Sequence, residues 1–256
     1  MLRTRRESIA EKSTAATSET RAENALHTRT EDQIAQRNSE RGNLITAEIG
    51  SDEKREIGKM VNTLFPAIPP ETSRLIAIAG VDESAAATRI AACASELLAE
   101  QVDVPVCLID AEVNTNGTIH HPFPAKENDI ALAIDTSSNY MPIRKHCVRV
   151  SDNLWTLSIG LNRDVSMARR MRTRIEELER EFPYCLLVIP PIVTSADAVL
   201  LSTMASGIVL VLDSQSTRRD AAAAAKGMLT RAGVPILGAV LNNRKFPIPD
   251  WLYSRL

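Results

Sequence analysis

The sequence predicts an α/β fold in which helices cover both faces of a mostly parallel β-sheet. Two observations lead to this prediction: short segments of continuous apolar residues alternate along the chain with longer segments whose apolar residues recur every three or four positions. Strands that are buried on both faces are continuously apolar, and helices that pack on a sheet are amphipathic. Their alternation is typical of parallel sheets covered by helices. The 256 residues accommodate one such domain of about 200 residues and a tail.

Residues 1–51 are predicted to form a disordered tail, and residues 52–256 are predicted to form the folded domain. The tail contains no Phe, Tyr or Trp and mixes Ser, Thr, Glu, Arg and Asn. Such a composition buries too little apolar surface to offset the conformational entropy lost on folding. The domain is predicted to begin with a helix at Asp52, and a stiff link at Ile68–Pro70 connects this helix to the first strand.

The predicted strands and helices of the main domain follow one another along the chain. The strands are Leu75–Ala79, Val104–Ile109, Leu154–Ser158, Cys185–Ile189, Gly207–Leu212 and Ile236–Leu241, and the helices are Glu83–Glu100, Ser166–Phe182, Ser195–Ser206 and a helix after Thr217 that ends at Gly233. Thr217 opens a capping-box pattern, and a closing helix is predicted at Asp250–Arg255. Ligands bind beyond the carboxyl ends of parallel strands, so the loops after Ala79, Ile109 and Ile189 form the candidate site.

The composition excludes several classes of protein. A net charge of −2 gives no electrostatic footprint for nucleic acid. The sequence has no run of about 18 apolar residues, so no membrane span is predicted. The start of the chain, Met1–Arg6, is basic, but the apolar segment of a signal peptide does not follow it. We therefore expect a cytoplasmic protein without a nucleic-acid partner.

The cysteine and histidine residues raise the question of a metal site. The four cysteines are widely spaced, without a Cys-x-x-Cys pair: Cys93, Cys107, Cys147 and Cys185. Zinc binding and buried structural thiols are the two interpretations, and the lack of ligand spacing favours buried thiols. His120 and His121 follow Asp110 closely, but no ligand spacing supports a metal cluster there either, and a plain loop is favoured. No metal site is predicted.

Four segments have the order and spacing of motifs in a known family. They are Cys107–Glu112 at the end of the second strand, Ile189–Val193 followed by Ser195–Ala198, Thr217–Arg219, and Gly238–Arg244 followed by Pro247–Tyr253. In this arrangement the chain resembles the tyrosine kinases of bacterial polysaccharide export, a P-loop family related to the MinD and ParA ATPases. The resemblance covers roughly Asp52 to Leu256, which is the whole predicted domain, and it implies a P-loop NTPase-like fold.

The resemblance implies a phosphate-binding loop that starts at Gly80, after the first strand. In such loops glycines let backbone N–H groups surround the phosphates, and a lysine adds a positive charge. In this chain Ser84 and Ala86 stand at glycine positions, and Ala87 stands at the lysine position. Thr88 retains the hydroxyl group that contacts magnesium in the family.

Two acidic residues in the same loop, Asp82 and Glu83, place negative charge near the position of the phosphates. Hydrogen bonds to charged groups contribute about 1.5–3 kcal/mol each, so loss of the lysine alone weakens binding substantially. We therefore expect no nucleotide cofactor.

The resemblance also implies carboxylates for magnesium and water at the ends of the second and fourth predicted strands. Asp110 and Glu112 occupy two of these positions, although Asp110 has a simpler interpretation as the cap of a turn. The third position holds Val188, whose side chain offers no oxygen ligand to a hard cation. Asn242 stands where relatives hold the nucleotide base, or simply ends the last strand. These residues are interpreted as vestiges of a nucleotide site.

Two family features outside the implied nucleotide site are altered in this chain. The Glu-x-x-Arg-x-x-Arg helix that assembles rings in the family corresponds here to Lys54, Ile57 and Met60. The family also ends in a cluster of tyrosines that it phosphorylates, and here the terminal segment holds Tyr253 alone. Neither ring assembly nor autophosphorylation is therefore expected.

The resemblance leads to one expected function and two alternatives. We expect a non-catalytic tyrosine-kinase-like protein that acts in exopolysaccharide biosynthesis and export by binding a membrane-anchored chain-length protein, or co-polymerase. Arg218 and Arg219 are interpreted either as contacts to a partner or as a solvated face. The first alternative is an active protein-tyrosine autokinase that binds ATP and magnesium through substitute residues, and the second is a regulatory partner of an intact MinD/ParA-like ATPase. On the expected function the protein is cytoplasmic and peripheral at the inner membrane through its partner.

Overall fold

The predicted alternation of strands and helices is confirmed. The computed structural model of the chain describes residues 49–65, 73–83, 86–111, 143–159 and 167–244. The strands are β1 (Arg74–Gly80), β2 (Val106–Asp110), β3 (Val148–Arg149), β4 (Leu154–Ser158), β5 (Tyr184–Ile189), β6 (Gly207–Asp213) and β7 (Ile236–Asn242), and the helices are α1 (Ser51–Leu64), α2 (Ala86–Gln101), α3 (Met167–Glu181), α4 (Ala196–Ser202) and α5 (Arg219–Arg231).

The strands form one sheet in the order β3-β4-β2-β5-β1-β6-β7. Every pairing is parallel except that between β3 and β4, which is antiparallel. The predicted α/β fold with a mostly parallel sheet is therefore confirmed. β3 and the short 3-10 helix before it, Ile143–His146, were not predicted, because elements of two and four residues are too short to show an apolar period.

The core consists of two apolar layers, one on each face of the sheet. α1 and α2 cover the first layer, to which Ile57, Val61, Ile90 and Leu98 contribute. The other helices cover the second layer, to which Met171, Leu178, Leu201 and Leu229 contribute. β1, β2 and β5 lie between the layers and are buried along almost their whole length, which explains their continuously apolar sequences.

The first described residues already belong to the domain. α1 begins at Ser51, one residue before the predicted start, and Ile49 is buried in the first layer. The prediction of a disordered tail concerns mainly residues 1–48, which lie outside the described residues. The predicted link at Ile68–Pro70 and closing helix at Asp250–Arg255 also lie outside them. Within the described residues no helix is long and apolar enough to cross a membrane.

The predicted capping box at the start of α5 is wrong. The N-cap residue is Arg218, and its side chain makes no capping hydrogen bond. The hydroxyl group of Thr217 instead accepts a hydrogen bond from the backbone N–H of Asp213 and donates one to Asp82. The end of the helix agrees with prediction, since Gly233 follows it with a left-handed φ of 72°.

Gly207 generates a prediction about stability, because the side chain of Leu237 occupies the space beside it. A Cβ atom at Gly207 would lie 2.6 Å from Cγ of Leu237. We expect Gly207→Ala to lower the free energy of unfolding by about 1–2 kcal/mol in urea titrations, since overpacking forces neighbours to shift. Gly238→Ala is the matched control on the neighbouring strand, because a Cβ there meets no atom within 4 Å. Leu237→Ala combined with Gly207→Ala should recover most of the lost free energy of unfolding. Equal losses in Gly207→Ala and Gly238→Ala would contradict the steric explanation.

Candidate functional site

The carboxyl ends of β2, β5 and β1 lie side by side at one edge of the sheet, as their order requires. Gly80, the last residue of β1, is buried and is aligned with Val211 of β6. Its carbonyl oxygen accepts a hydrogen bond of 3.0 Å from the backbone N–H of Ile192 in the loop after β5. The three loops singled out in the sequence are therefore neighbours in the fold.

Asp110 and Val188 are direct neighbours at the ends of β2 and β5. They are partners in the parallel register, and Asp110 is aligned on its other side with Ser158 of β4. Both residues are buried, Asp110 being 1% and Val188 0% exposed. Val188 belongs to the apolar first layer. The position where the resemblance implies a third carboxylate thus holds hydrocarbon, next to the buried carboxyl group of Asp110.

The first turn of α2 contains the residue at the lysine position. Ala87 is 2% exposed and belongs to the apolar first layer, as does Ala86 before it. Thr88 is half-buried. The methyl group of Ala87 provides neither a positive charge nor a hydrogen-bond donor at the position where the resemblance implies a lysine.

Arg89 joins three elements near the position implied for the nucleotide base. Its Nη2 atom lies 3.0 Å from Oε1 of Glu53 on α1 and 3.4 Å from Oδ1 of Asn242 at the end of β7. Asn242 is largely buried. We call these three residues the Arg89 bridge. The sequence analysis missed Arg89 and Glu53, since neither belongs to a motif.

A second set of hydrogen bonds connects the loop after β1 to the loop after β6. The hydroxyl group of Thr217 donates to Oδ1 of Asp82 over 3.1 Å and accepts from the backbone N–H of Asp213 over 2.9 Å. Asp82 therefore has an intramolecular partner, and its carboxylate lies in the loop that the resemblance assigns to phosphate. We call Asp82, Thr217 and Asp213 the loop clasp.

Asp213 is the centre of the turn between β6 and α5. Its Oδ1 atom accepts hydrogen bonds from the backbone N–H groups of Gln215 (2.7 Å) and Ser216 (3.2 Å), and its Oδ2 atom accepts one from Nδ2 of Asn243 (2.6 Å). The bond from Gln215, followed by that from Asn243, lowers the pKa of the Asp213 carboxyl group, because these donors stabilise the charged form. Asn243 adopts a left-handed φ of 56°.

The remaining predicted site residues are divided between described and undescribed parts of the chain. Ser84, Glu112, His120 and His121 lie outside the described residues. Within the described residues no group of three or more His, Cys, Asp or Glu side chains is placed to hold a metal ion.

Three of the four cysteines are buried, as predicted for structural thiols: Cys93, Cys107 and Cys185, with Cys147 half-buried. Burial raises the pKa of the Cys93 thiol to about 11 and raises that of Cys107 well above its ordinary value. The burial of Cys93, Cys107 and Cys185 agrees with the prediction of structural thiols.

Two of the three positions of the ring-assembly motif face the core on α1. Ile57 is buried and Met60 packs against the first layer, whereas Lys54 is half-exposed. Arg218 and Arg219 are exposed at the start of α5, and Nε of Arg218 lies 3.3 Å from Oδ1 of Asp220. That exposure is compatible with either interpretation of this arginine pair.

Comparison with solved structures identifies the fold. The structure of the chimerical protein CapA2B2 matches with a TM-score of 0.61 at 17% sequence identity, over 79% of this chain and 90% of that one. MinD in the MinC:MinD cell division complex from Aquifex aeolicus matches with a TM-score of 0.51 at 16% identity, over 72% of each chain. The chain therefore has the α/β fold of the P-loop NTPases.

Two proteins of similar sequence are named as tyrosine-protein kinases. The putative tyrosine-protein kinase CapB of Staphylococcus aureus is 37% identical over 79 residues, which are 31% of this chain and 34% of that protein. Tyrosine-protein kinase YwqD of Bacillus subtilis (strain 168) is 30% identical over 144 residues, which are 55% of this chain and 60% of that protein. The resemblance predicted from the sequence is thus confirmed: the chain is similar in sequence to bacterial tyrosine-protein kinases, and the matches span 34% and 60% of the length of these two proteins. No protein-family model matches the sequence.

The hydrogen bonds to Asp213 generate a prediction about pH. An unfolded aspartate has a pKa of about 3.9, and the folded value of Asp213 is lower. Its contribution to stability is therefore complete above the unfolded pKa and is lost as the pH falls through the folded pKa. We expect Asp213→Asn to make the free energy of unfolding fall less steeply with decreasing pH below about pH 4. Urea titrations at a series of pH values measure this slope.

The control for this prediction is Asp103→Asn. Asp103 is exposed, and no hydrogen bond or ion pair to it is found among the described residues. Its substitution should leave the slope unchanged. A wild-type slope in the Asp213→Asn variant would mean that the hydrogen bonds at this turn do not favour the charged form.

Proposed function

We propose that the chain is a non-catalytic relative of the bacterial tyrosine kinases that acts in exopolysaccharide biosynthesis or export by binding a membrane-anchored co-polymerase. The kinase relatives support the family setting. The role in polysaccharide export and the co-polymerase partner come from the family resemblance. The absence of catalysis is argued from the site.

One observation carries the non-catalytic part of the proposal: two positions of the nucleotide site are apolar and buried in the core. Ala87 replaces the lysine and Val188 replaces a carboxylate, and both side chains belong to the first layer. The lysine alone contributes charge-assisted hydrogen bonds of about 1.5–3 kcal/mol each in a phosphate site. A magnesium ion needs oxygen ligands, and valine has none to give.

Two further contacts act against nucleotide binding. In the loop clasp, the Asp82 carboxylate adds negative charge where the phosphates of a nucleotide would lie, and it is held there by Thr217. In the Arg89 bridge, the amide of Asn242 contacts a guanidinium group of the protein itself. A nucleotide would have to displace or compete with both sets of contacts, and like charges disfavour the first of these steps.

The binding part of the proposal follows from what the chain has kept. The sheet, its helices and the buried Asp110 are retained although the phosphate and metal groups are replaced. A fold maintained without its ligand chemistry still presents a surface of defined shape. We therefore assign the function to that surface and to a protein partner.

Calorimetric titration with ATP and with ADP, each with and without magnesium, tests the absence of nucleotide binding. We expect no heat of binding at nucleotide concentrations up to about 1 mM, which corresponds to a binding free energy weaker than about −4 kcal/mol. The intact relative YwqD, titrated under the same conditions, is the positive control. Micromolar binding by this chain would overturn the proposal and favour an active kinase.

A turnover assay and a co-purification experiment separate the remaining alternatives. We expect no phosphate release and no tyrosine phosphorylation; turnover that disappears in Asp110→Ala would identify an active enzyme. We expect a co-expressed co-polymerase to co-purify with the chain from detergent-solubilised membranes. Co-purification with an intact MinD-like ATPase in place of the co-polymerase would instead identify a regulatory partner of that enzyme.

A further inference from the structure

The edge of the sheet opposite β7 carries a compact group of cations. The 3-10 helix and β3 form the segment Ile143–Arg149, which contains Arg144, Lys145, His146 and Arg149 and no acidic residue. Arg144 and Lys145 are exposed, and Arg149 is half-buried. We call Arg144, Lys145 and Arg149 the basic edge. It stands out in a chain whose net charge is −2.

Two of these cations are held by one indole ring. The guanidinium carbon of Arg144 lies 4.5 Å from the ring centroid of Trp155 and 5.7 Å from that of Phe182. The guanidinium carbon of Arg149 lies 5.7 Å from the same indole. Trp155 in turn packs against Phe182, with 5.8 Å between ring centroids. Stacking on an aromatic face fixes a guanidinium group and leaves the N–H groups at its rim able to bind an anion.

Arg149 differs from the other two cations of the basic edge, because it is engaged within the domain. Its Nε atom donates to the backbone carbonyl of Ser151 over 3.1 Å, and its Nη2 atom lies 3.0 Å from Oδ1 of Asp152. No described carboxylate lies within ion-pair distance of Arg144 or Lys145, whereas Arg89 and Arg174 each have an acidic partner. Adjacent like charges repel one another, and a bound anion relieves that repulsion.

We infer that the basic edge is a docking site for an acidic segment of a partner protein. This inference rests on the proposed function only in taking the co-polymerase as the source of that segment. Carboxylates of Asp and Glu match the planar donors of a fixed guanidinium group, which binds them through paired hydrogen bonds. Arg144, which is stacked on the indole ring, and the exposed Lys145 supply the donors of this site, since Arg149 is engaged by Ser151 and Asp152.

A lipid surface fits the basic edge less well. Proteins that bind membranes at the interface insert apolar or aromatic side chains next to their cations. Here the indole of Trp155 is covered by Arg144, and the large exposed hydrophobic residues of the described chain all lie elsewhere. They are Val193, Leu200, Leu237 and Leu241.

Fluorescence anisotropy with a labelled oligoglutamate peptide tests the inference. We expect Arg144→Glu/Lys145→Glu to weaken peptide binding by at least about tenfold, because two attractive charges become repulsive. The matched control is Arg218→Glu/Arg219→Glu, which makes the same change of charge at exposed positions on α5 and should leave most of the affinity intact. Lys145→Glu alone leaves the stacking of Arg144 on Trp155 in place. This variant should therefore also weaken peptide binding while leaving the fold unchanged.

Three results would overturn the inference. They are failure of the wild-type chain to bind the peptide, equal losses in the two double variants, and binding to phosphatidylglycerol vesicles without binding to the peptide. Co-purification of the co-polymerase distinguishes this inference from the proposed function. If the co-polymerase remains bound to Arg144→Glu/Lys145→Glu, the basic edge is not its docking site, while the proposed function stands. If the wild-type chain binds the peptide through the basic edge but no co-polymerase, the docking site stands and the proposed function fails.

Discussion

The burial of the central strands is the constraint on which the rest of the structure depends. β1, β2 and β5 are covered on both faces along almost their whole length. Backbone N–H and C=O groups in such strands have no access to water, so they must pair with the neighbouring strands. The observed pairing places Asp110 beside Val188, and it brings the end of β1 next to the loop after β5, where Gly80 accepts a hydrogen bond from Ile192. The geometry of this edge therefore follows from the pairing of the strands.

The polar residues around the site bond to one another. Thr217 connects Asp82 to the turn after β6, and Arg89 connects Asn242 to Glu53. Polar groups that are partly buried are costly unless they have hydrogen-bond partners. In a nucleotide-binding relative a ligand can supply such partners, whereas in this chain the protein supplies them itself. The site is therefore stable as a structural part of the domain.

The sequence was most informative where a regular pattern extends over many residues. β4 was predicted with both ends correct, and the buried strands and amphipathic helices were predicted to within a few residues. β3 was missed because two residues have no period. The Arg89 bridge and the role of Thr217 were missed for another reason: their partners are distant in sequence, with a separation of 153 positions from Arg89 to Asn242 and of 135 from Asp82 to Thr217. Such contacts follow from the topology of the chain, and a local capping pattern gave the wrong partner for Thr217.

The loop clasp has a consequence for how such a protein can be controlled. In nucleotide switches the terminal phosphate holds a loop in one arrangement, and its removal releases that loop, so that each round of hydrolysis acts as a timer. Here the hydroxyl group of Thr217 donates a hydrogen bond to Asp82 in the corresponding loop. In the non-catalytic role proposed above, such a domain would have no timer, and its occupancy on a partner would be set by the amounts of the two proteins.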